Sequence, residues 1–399
     1  MGSSMLNLGV VVDSFSHMGG GYQQQLAILE ELRTLSNCKI SVIVFSQEMA
    51  AKLAESGFEI VPVFENFLDK LIRSFLIYFP GKPAILSRLK TTFEKRLAKL
   101  NIDLVYFMQP TLRALELCDL NFIFTVWDLC HRDHPEFPEI RKNQDFETRE
   151  FLYNSALKKA TAILVDSDSG KANLMKRYSV DSERVFSVSF LPSLNIRKSR
   201  DVDIKSHYNI AGEYIFYPAQ FWAHKNHTYI LDALAILKKS GLKISAIFCG
   251  SDKGNLDYVL DYAHKKAVGE LVKYIGYAPD EEIFSLYSQS LALVMPTYFG
   301  PTNMPPLEAF LAGTPVLYSD LDCFREQTAD AALYFDLAKP ESLAEILRML
   351  IQSPAIRNDL LSKGNLRLHE IQKSSSIVAV LNEINKRFSL KLKCWKTDW

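Results

Sequence analysis

The segment FGPTNMPPLEAFLAGTPVLYS, residues 299–319, holds two structural boundaries in one short run. Thr302 or Asn303 can cap a helix, and Pro305 and Pro306 suit its first positions, where a missing N–H removes no intrahelical bond. Ala312-Gly313-Thr314-Pro315 then closes that helix, and a β-branched and aromatic run follows over residues 315–318. A helix bounded at both ends and followed at once by a strand of buried type is one unit of an alternating α/β fold.

The same alternation extends outward in both directions. Residues 213–218, 243–249, 291–295 and 332–335 read as strands, with a helix over 227–240 between the first two. Earlier in the chain, residues 6–12, 39–45, 103–107, 121–126 and 161–165 read as strands, and 22–35 as a helix. Several of these strands are apolar throughout, as suits a parallel sheet covered on both faces. Two successive series predict two doubly wound α/β domains, 1–195 and 196–373, with the break in the polar run LPSLNIRKSRDVDIK at 191–205. Ile377, Val380, Leu381, Ile384 and Phe388 recur at helical spacing, so the tail from about 374 to 399 suits a helix that crosses back onto the first domain.

The bulk numbers narrow the function class. With 399 residues, of which 48% are hydrophobic, the chain can bury two cores. Lys plus Arg and Asp plus Glu each total 46, which argues against a nucleic-acid partner. The six cysteines (Cys38, Cys118, Cys130, Cys249, Cys323 and Cys394) show no metal-like spacing and suit reduced, mostly buried thiols. No apolar run nears the ~18 residues of a spanning helix, and the first five residues are too polar for a signal peptide. The expected location is the cytoplasm. One stretch departs from the neutral balance. Residues 66–100 hold Lys70, Arg73, Lys82, Arg88, Lys90, Lys95, Arg96 and Lys99 against Asp69 and Glu94, with Phe67, Leu71, Phe75 and Phe79 among them. That pattern fits two amphipathic helices with a solvated basic face. The alternative is a surface that leans on anionic lipid at the inner face of a membrane.

Four sites carry candidate chemistry. Gly19, Gly20 and Gly21 follow the first strand and open the first helix, where close backbone approach and helix amides favour an anion; a simple turn is the alternative. The run lacks the G-x-G-x-x-G spacing of a dinucleotide site. YPAQFWAHKNH, residues 217–227, occupies the corresponding turn of the second domain, where Lys225 can offset phosphate charge or simply be an exposed lysine beside His224 and His227. Asp166-Ser167-Asp168 resembles an acidic metal pair, but it also begins a helix, and capping is the favoured reading. In WDLCHRDHPE, residues 127–136, Asp128, His131, Asp133 and His134 crowd the loop after a strand. Glu308, placed in the first turn of the helix after Pro305-Pro306, suits the positive end of the dipole, and the amides of Thr302, Asn303 and Met304 beside it suit a diphosphate.

Together these residues resemble glycosyltransferase family 4, the retaining sugar-nucleotide transferases of the GT-B architecture. The resemblance implies an α/β fold of two doubly wound Rossmann-like domains facing across a cleft. It is most specific in residues 295–316, which resemble the family's segment bearing two glutamates with seven residues between them. Glu308 takes the second place, implying ribose contacts, while Gly300 stands where the first, which touches the donor sugar, would be. Residues 220–225 resemble the Arg and Lys pair on the diphosphate, with Lys225 matching and Gln220 replacing the arginine. Trp127-Asp128 resembles a His-Asp pair near the transferred sugar, and YIGYAPDEE at 274–282, with Tyr277, resembles the segment beside the base.

The resemblance implies transfer of a sugar from a GDP- or UDP-linked donor to a glycan or lipid-linked glycan, with retention, in cell-surface polysaccharide assembly. It implies no metal or other cofactor. Lys225, Asp128 and Glu308 are the expected catalytic residues. The donor-binding set is Gly19, Gly20, Gly21, Gln220, Lys225, Tyr277, Gly300, Thr302, Asn303, Met304 and Glu308. The indole of Trp127 in place of an imidazole suits a less polar sugar edge, such as a 6-deoxyhexose or an N-acetyl group. Lost charges at Gln220 and Gly300 keep two alternatives open: a non-catalytic scaffold or partner subunit on the same fold, and a sugar-nucleotide epimerase or hydrolase.

Overall fold

The computed structural model describes residues 5–13, 20–78, 90–194, 196, 202–300, 302–374 and 376–394. Gly19, Lys82, Arg88 and Phe79 lie outside the described residues. The chain divides into two units. The first comprises Met1–Leu129, Phe146–Val188 and Ser375–Trp399; the second comprises Cys130–Asp145 and Ser189–Ser374. The passage between them near residue 188 precedes the polar run at 191–205, because Ile196 and Ile204 are already buried in the second unit's core.

The first unit holds a seven-stranded sheet: β1 (Leu6–Val12), β2 (Cys38–Val44), β3 (Glu59–Pro62), β4 (Leu104–Phe107), β5 (Asn121–Val126), β6 (Ala162–Val165) and β7 (Val185–Ser187), in the order β3-β2-β1-β4-β5-β6-β7. Every adjacent pair is parallel. Side chains alternate across the sheet as the pleat requires. Val11, Phe122 and Phe124 point into the core on one face, and Val10, Val12 and Ile123 into the core on the other. The helix Ile377–Leu392, capped by Ser376, adds Ile377, Leu381, Ile384 and Phe388 to the second of these cores.

The second unit holds β8 (Tyr214–Pro218), β9 (Ser245–Cys249), β10 (Val272–Tyr274), β11 (Ala292–Met295), β12 (Val316–Ser319) and β13 (Ala332–Phe335), again all parallel, in the order β10-β9-β8-β11-β12-β13. Both sheets therefore wind outward in two directions from a central pair, β1/β4 in one and β8/β11 in the other. Among the described residues no helix is long and apolar enough to cross a membrane. Cys38, Cys130 and Cys249 are buried while Cys118 and Cys394 are exposed, so the thiols are less uniformly interior than expected.

Candidate active site

Open α/β sheets take ligands outside the carboxyl ends of the strands where the winding direction reverses. In the second unit that point is the β8/β11 pair, and the loops leaving those two strands carry Gln220 to Lys225 and Thr297 to Asn303. Lys225 ends a 3-10 turn, Ala223–Lys225, and Asn226 at φ 53° turns the chain into the helix His227–Lys239. The turn is pinned from two sides. The Tyr217 hydroxyl donates to the Lys225 carbonyl at 2.9 Å, and the Tyr298 amide donates to the His224 carbonyl at 3.0 Å. His224 also stacks on Phe299, with ring centroids 3.8 Å apart. The loop after β8 is thus fastened to the loop after β11.

The Lys225 ammonium donates to Asn303 Oδ1 at 3.4 Å. Asn303 is held on every side: its Nδ2 donates to the Gly300 carbonyl at 3.1 Å and to the Tyr318 hydroxyl at 2.6 Å. Its amide donates to Gln327 Oε1 at 3.2 Å, and its carbonyl accepts from Gln327 Nε2 at 2.7 Å. Lysine and helix start therefore meet in one fixed constellation.

Three expectations need correction. Asn303 occupies the N-cap position of the helix Met304–Ala312, yet its side chain makes no capping bond, because Lys225, Gly300 and Tyr318 engage it instead. The helix end is also poorer in donors than a generic N-terminus. Pro305 and Pro306 have no N–H, and the Asn303 amide is spent on Gln327. More of any attraction for an anion falls on Lys225 and the helix dipole. Finally, Glu308 is not in the first turn; the helix starts at Met304, so Glu308 opens the second. Its carboxyl is buried, with Oε2 accepting from the Tyr287 hydroxyl at 2.8 Å and Oε1 from the Ser193 amide at 3.3 Å. Burial raises its pKa against the pull of those two bonds.

The remaining second-unit residues surround this core. Gly300 has φ 105°, a conformation L side chains rarely adopt. Gln220 Oε1 accepts from the Trp222 indole at 2.9 Å. The backbone of Ala219-Gln220 runs so close to Gly250 (φ 141°) that a Cβ there would lie 2.4 Å from the Ala219 carbonyl oxygen. Thr302 and Met304 are buried and Tyr277 is half exposed beyond β10. His227, expected as a polar neighbour of Lys225, is buried against Phe221, and burial with the nearby Lys225 charge lowers its pKa to about 3.

Sequence reasoning missed the support for this loop. Glu139, in the short helix Pro138–Arg141 of the 130–145 segment, accepts from the His224 amide at 3.0 Å and bonds the His224 ring. Burial opposes the charge on Glu139, but the two His224 bonds outweigh it and hold the pKa below the usual range. Phe137 and His134 of the same segment pack on Phe299. Nothing local in the sequence marks Glu139, Gln327 or Tyr318 as partners, since each is bound across a long stretch of chain.

In the first unit, Gly20 and Gly21 are the first residues of the helix Gly20–Leu32. A Cβ on Gly21 would lie 2.6 Å from Trp127 Cη2, so the glycine makes room for the indole. Asp128 Oδ1 accepts from Arg149 at 2.6 Å. Ser167 caps the helix Asp168–Tyr178 by accepting from the Gly170 amide, and Asp168 accepts from Ser187 at 2.6 Å. Among the described residues no three His, Cys, Asp or Glu side chains gather as a metal site.

Two Rossmann-like sheets with this winding are the architecture of GT-B glycosyltransferases, and comparison with known proteins points the same way. Residues 203–367 match the family model described as glycosyl transferases group 1. The chain is 28% identical over 219 residues to the O-antigen chain mannosyltransferase RfbU of Salmonella typhimurium, covering 54% of this chain and 57% of that one. It is 22% identical over 232 residues to the O-antigen chain mannosyltransferase B of Escherichia coli, covering 57% and 61%. The chain thus spans about six-tenths of the length of these curated relatives. The crystal structure of HepE from Anabaena in complex with UDP-glucose superposes with a TM-score of 0.67 at 15% identity, covering 98% of this chain and all of that one. At that identity the likeness concerns the fold. The sequence matches support a glycosyltransferase.

Proposed function

We propose that this chain is a retaining, family 4-like glycosyltransferase that moves a hexosyl group from a nucleotide-diphosphate sugar to a glycan or lipid-linked glycan acceptor. The observation that carries this reading is the 3.4 Å contact between Lys225 and Asn303 at the switch point of the second sheet, beside the positive end of the Met304–Ala312 helix. In the proposed reaction the bond from the anomeric carbon to the diphosphate breaks while an acceptor hydroxyl oxygen bonds that carbon on the same face and gives its proton to an oxygen of the departing nucleoside diphosphate. Charge grows on the departing diphosphate, and a fixed ammonium backed by a helix dipole stabilises it there. Lys225 and the helix end supply that charge with no metal ion required, so a chelator leaves turnover unchanged. Glu308, locked by Tyr287 and Ser193, is the proposed ribose contact, and Asp128, oriented by Arg149, the proposed contact to the transferred sugar. Tyr277 is the proposed partner of the base.

Support for a polysaccharide role comes from the two relatives named as O-antigen chain mannosyltransferases. The indole of Trp127, packed over Gly21, replaces an imidazole, so 6-deoxyhexose and N-acetylhexosamine donors head the donor panel, and a clear preference for plain hexose refutes that part of the reading. The test has two parts. A melting-temperature panel of nucleotides identifies the base, since binding to the folded state raises the transition. Turnover of the matching donor is then compared between wild type and Lys225→Ala. The variant is expected to lose about 10²–10³-fold in turnover at unchanged melting temperature. Wild-type turnover in Lys225→Ala refutes the assignment. Donor conversion without acceptor favours an epimerase or hydrolase, and no turnover by wild type with a complete acceptor panel favours a scaffold.

A further inference from the structure

The helix Phe67–Tyr78 turns an apolar face to solvent. Phe67 is 76% exposed, Leu68 60% and Leu71 52%, and Phe64 in the segment leading into the helix is 51% exposed. Within the helix, positions 67, 68 and 71 have the spacing of a single face, and Phe64 adds an exposed ring just before it. The helix is firmly held from its other side. Ile72 is buried. Asp69 accepts from the Asn66 amide at 2.9 Å and the Thr92 amide at 2.7 Å, while Arg73 reaches Glu65 at 2.5 Å and Glu116 at 3.3 Å. Isolated exposed apolar residues are ordinary, but three on one face of a clamped helix, with a fourth just before it, mark an interaction site.

The charges around it indicate the occupant. Both acids of residues 66–100 turn inward: Asp69 as described, and Glu94 to accept from the Cys118 and Asp119 amides at 2.9 and 2.8 Å. Of the described bases, Arg73 is drawn into ion pairs with Glu65 and Glu116 and Lys90 into one with Asp119, and the others stay outside. Lys70 lies beside Leu71 in sequence, and Lys95, Arg96 and Lys99 are exposed on the helix Thr92–Lys99, whose first amide is the one bound by Asp69. Among the described residues of this region the unpaired exposed charge, from Lys70, Lys95, Arg96 and Lys99, is therefore positive in a chain of zero net charge. A second copy of the same face would bring like charge against it. A bilayer with anionic headgroups supplies both complements, an apolar boundary for Phe64, Phe67, Leu68 and Leu71 and a negative field for the lysines and arginine.

We propose that this face docks the protein on anionic lipid bilayers, with the Phe67–Tyr78 helix lying in the interface plane. The inference is independent of the donor site. It is tested by flotation of the whole protein with phosphatidylcholine vesicles that contain, or lack, roughly one-third phosphatidylglycerol. Wild type is expected to float with the anionic vesicles only, and to be released at about 0.5 M salt. Phe67→Asp/Leu71→Asp, at exposed positions where folding tolerates the change, is expected to reduce the bound fraction at least about tenfold. Lys95→Glu/Arg96→Glu/Lys99→Glu is expected to reduce it severalfold and remove the salt dependence. Circular dichroism melting checks that each variant is folded. Equal flotation with neutral and anionic vesicles, no flotation at low salt, or unchanged binding by the folded aspartate variant overturns the proposal. So does a wild-type dimer in light scattering that the aspartate variant abolishes, which assigns the face to a second copy.

Discussion

Replacing Gly300 by glutamate puts a carboxylate where the resemblance to family 4 transferases would place one, and the geometry predicts a loss. At φ 105° the backbone of residue 300 lies where L side chains are strained, at a cost of about 1–3 kcal/mol. A Cβ built there sits 3.3 Å from Asn303 Oδ1 and 3.4 Å from Asn303 Nδ2. Those are the two atoms that bind Lys225 on one side and Gly300 and Tyr318 on the other. The new side chain therefore pushes on the residue that positions the lysine. For a unit of this size, about 2 kcal/mol lowers the melting temperature by roughly 4–8 °C. Donor affinity is expected to fall at least about threefold, because the carboxylate also adds negative charge beside the expected diphosphate. Scanning calorimetry with and without nucleotide measures both effects, and Gly300→Ala separates the backbone cost from the carboxylate. A Gly300→Glu protein that melts within about 1 °C of wild type and binds donor more tightly refutes this account of why glycine stands there.

Gly21→Ala should destabilise by about 1–3 kcal/mol, since the clash with Trp127 at 2.6 Å outweighs the gain of alanine over glycine in a helix. Trp127→His should relieve it, and a double-mutant cycle in urea with no coupling between the two sites counts against the packing explanation. Glu116 is buried between Arg73 and Arg113; burial pushes its carboxyl up to about 7 from the ordinary 4.5, against the pull of the two guanidinium groups. Because the folded value is the higher one, its contribution to stability is fully present below about pH 4.5 and is lost as pH rises to about 7. Glu116→Gln, which mimics the protonated form, should match wild type near pH 4 and exceed it by up to about 3 kcal/mol near pH 8. A stability difference that stays constant over that range excludes the buried carboxyl as its source.

The strands that periodicity identified are mostly those inside the sheets. β1, β5 and β13 fall where the apolar runs place them, and β2, β4, β6, β8, β9, β11 and β12 shift by one or two residues. The three missed strands, β3, β7 and β10, all lie at sheet edges and are three or four residues long. An edge strand is paired on one side only and needs no continuous apolar run, so its sequence carries little signal. For the candidate site, Lys225 and the Met304–Ala312 helix could be named from composition and turn chemistry. Their contact could not, because 78 residues separate the lysine from Asn303.

What the linear order determined was the periodic part: two series of apolar strands, helices bounded by proline and glycine, and a lysine and a glutamate beside turns. Those signals are local, set by propensity and by burial on both faces, so they can be read one segment at a time. Tertiary structure alone decided which side chains meet. It gave Asn303 to Lys225 instead of to a cap, set Glu308 between Tyr287 and Ser193, brought Glu139 to His224, and turned Asp69 and Glu94 inward beneath exposed lysines. A hydrogen bond is satisfied wherever the folded chain places a partner, and distance along the sequence has no bearing on that choice.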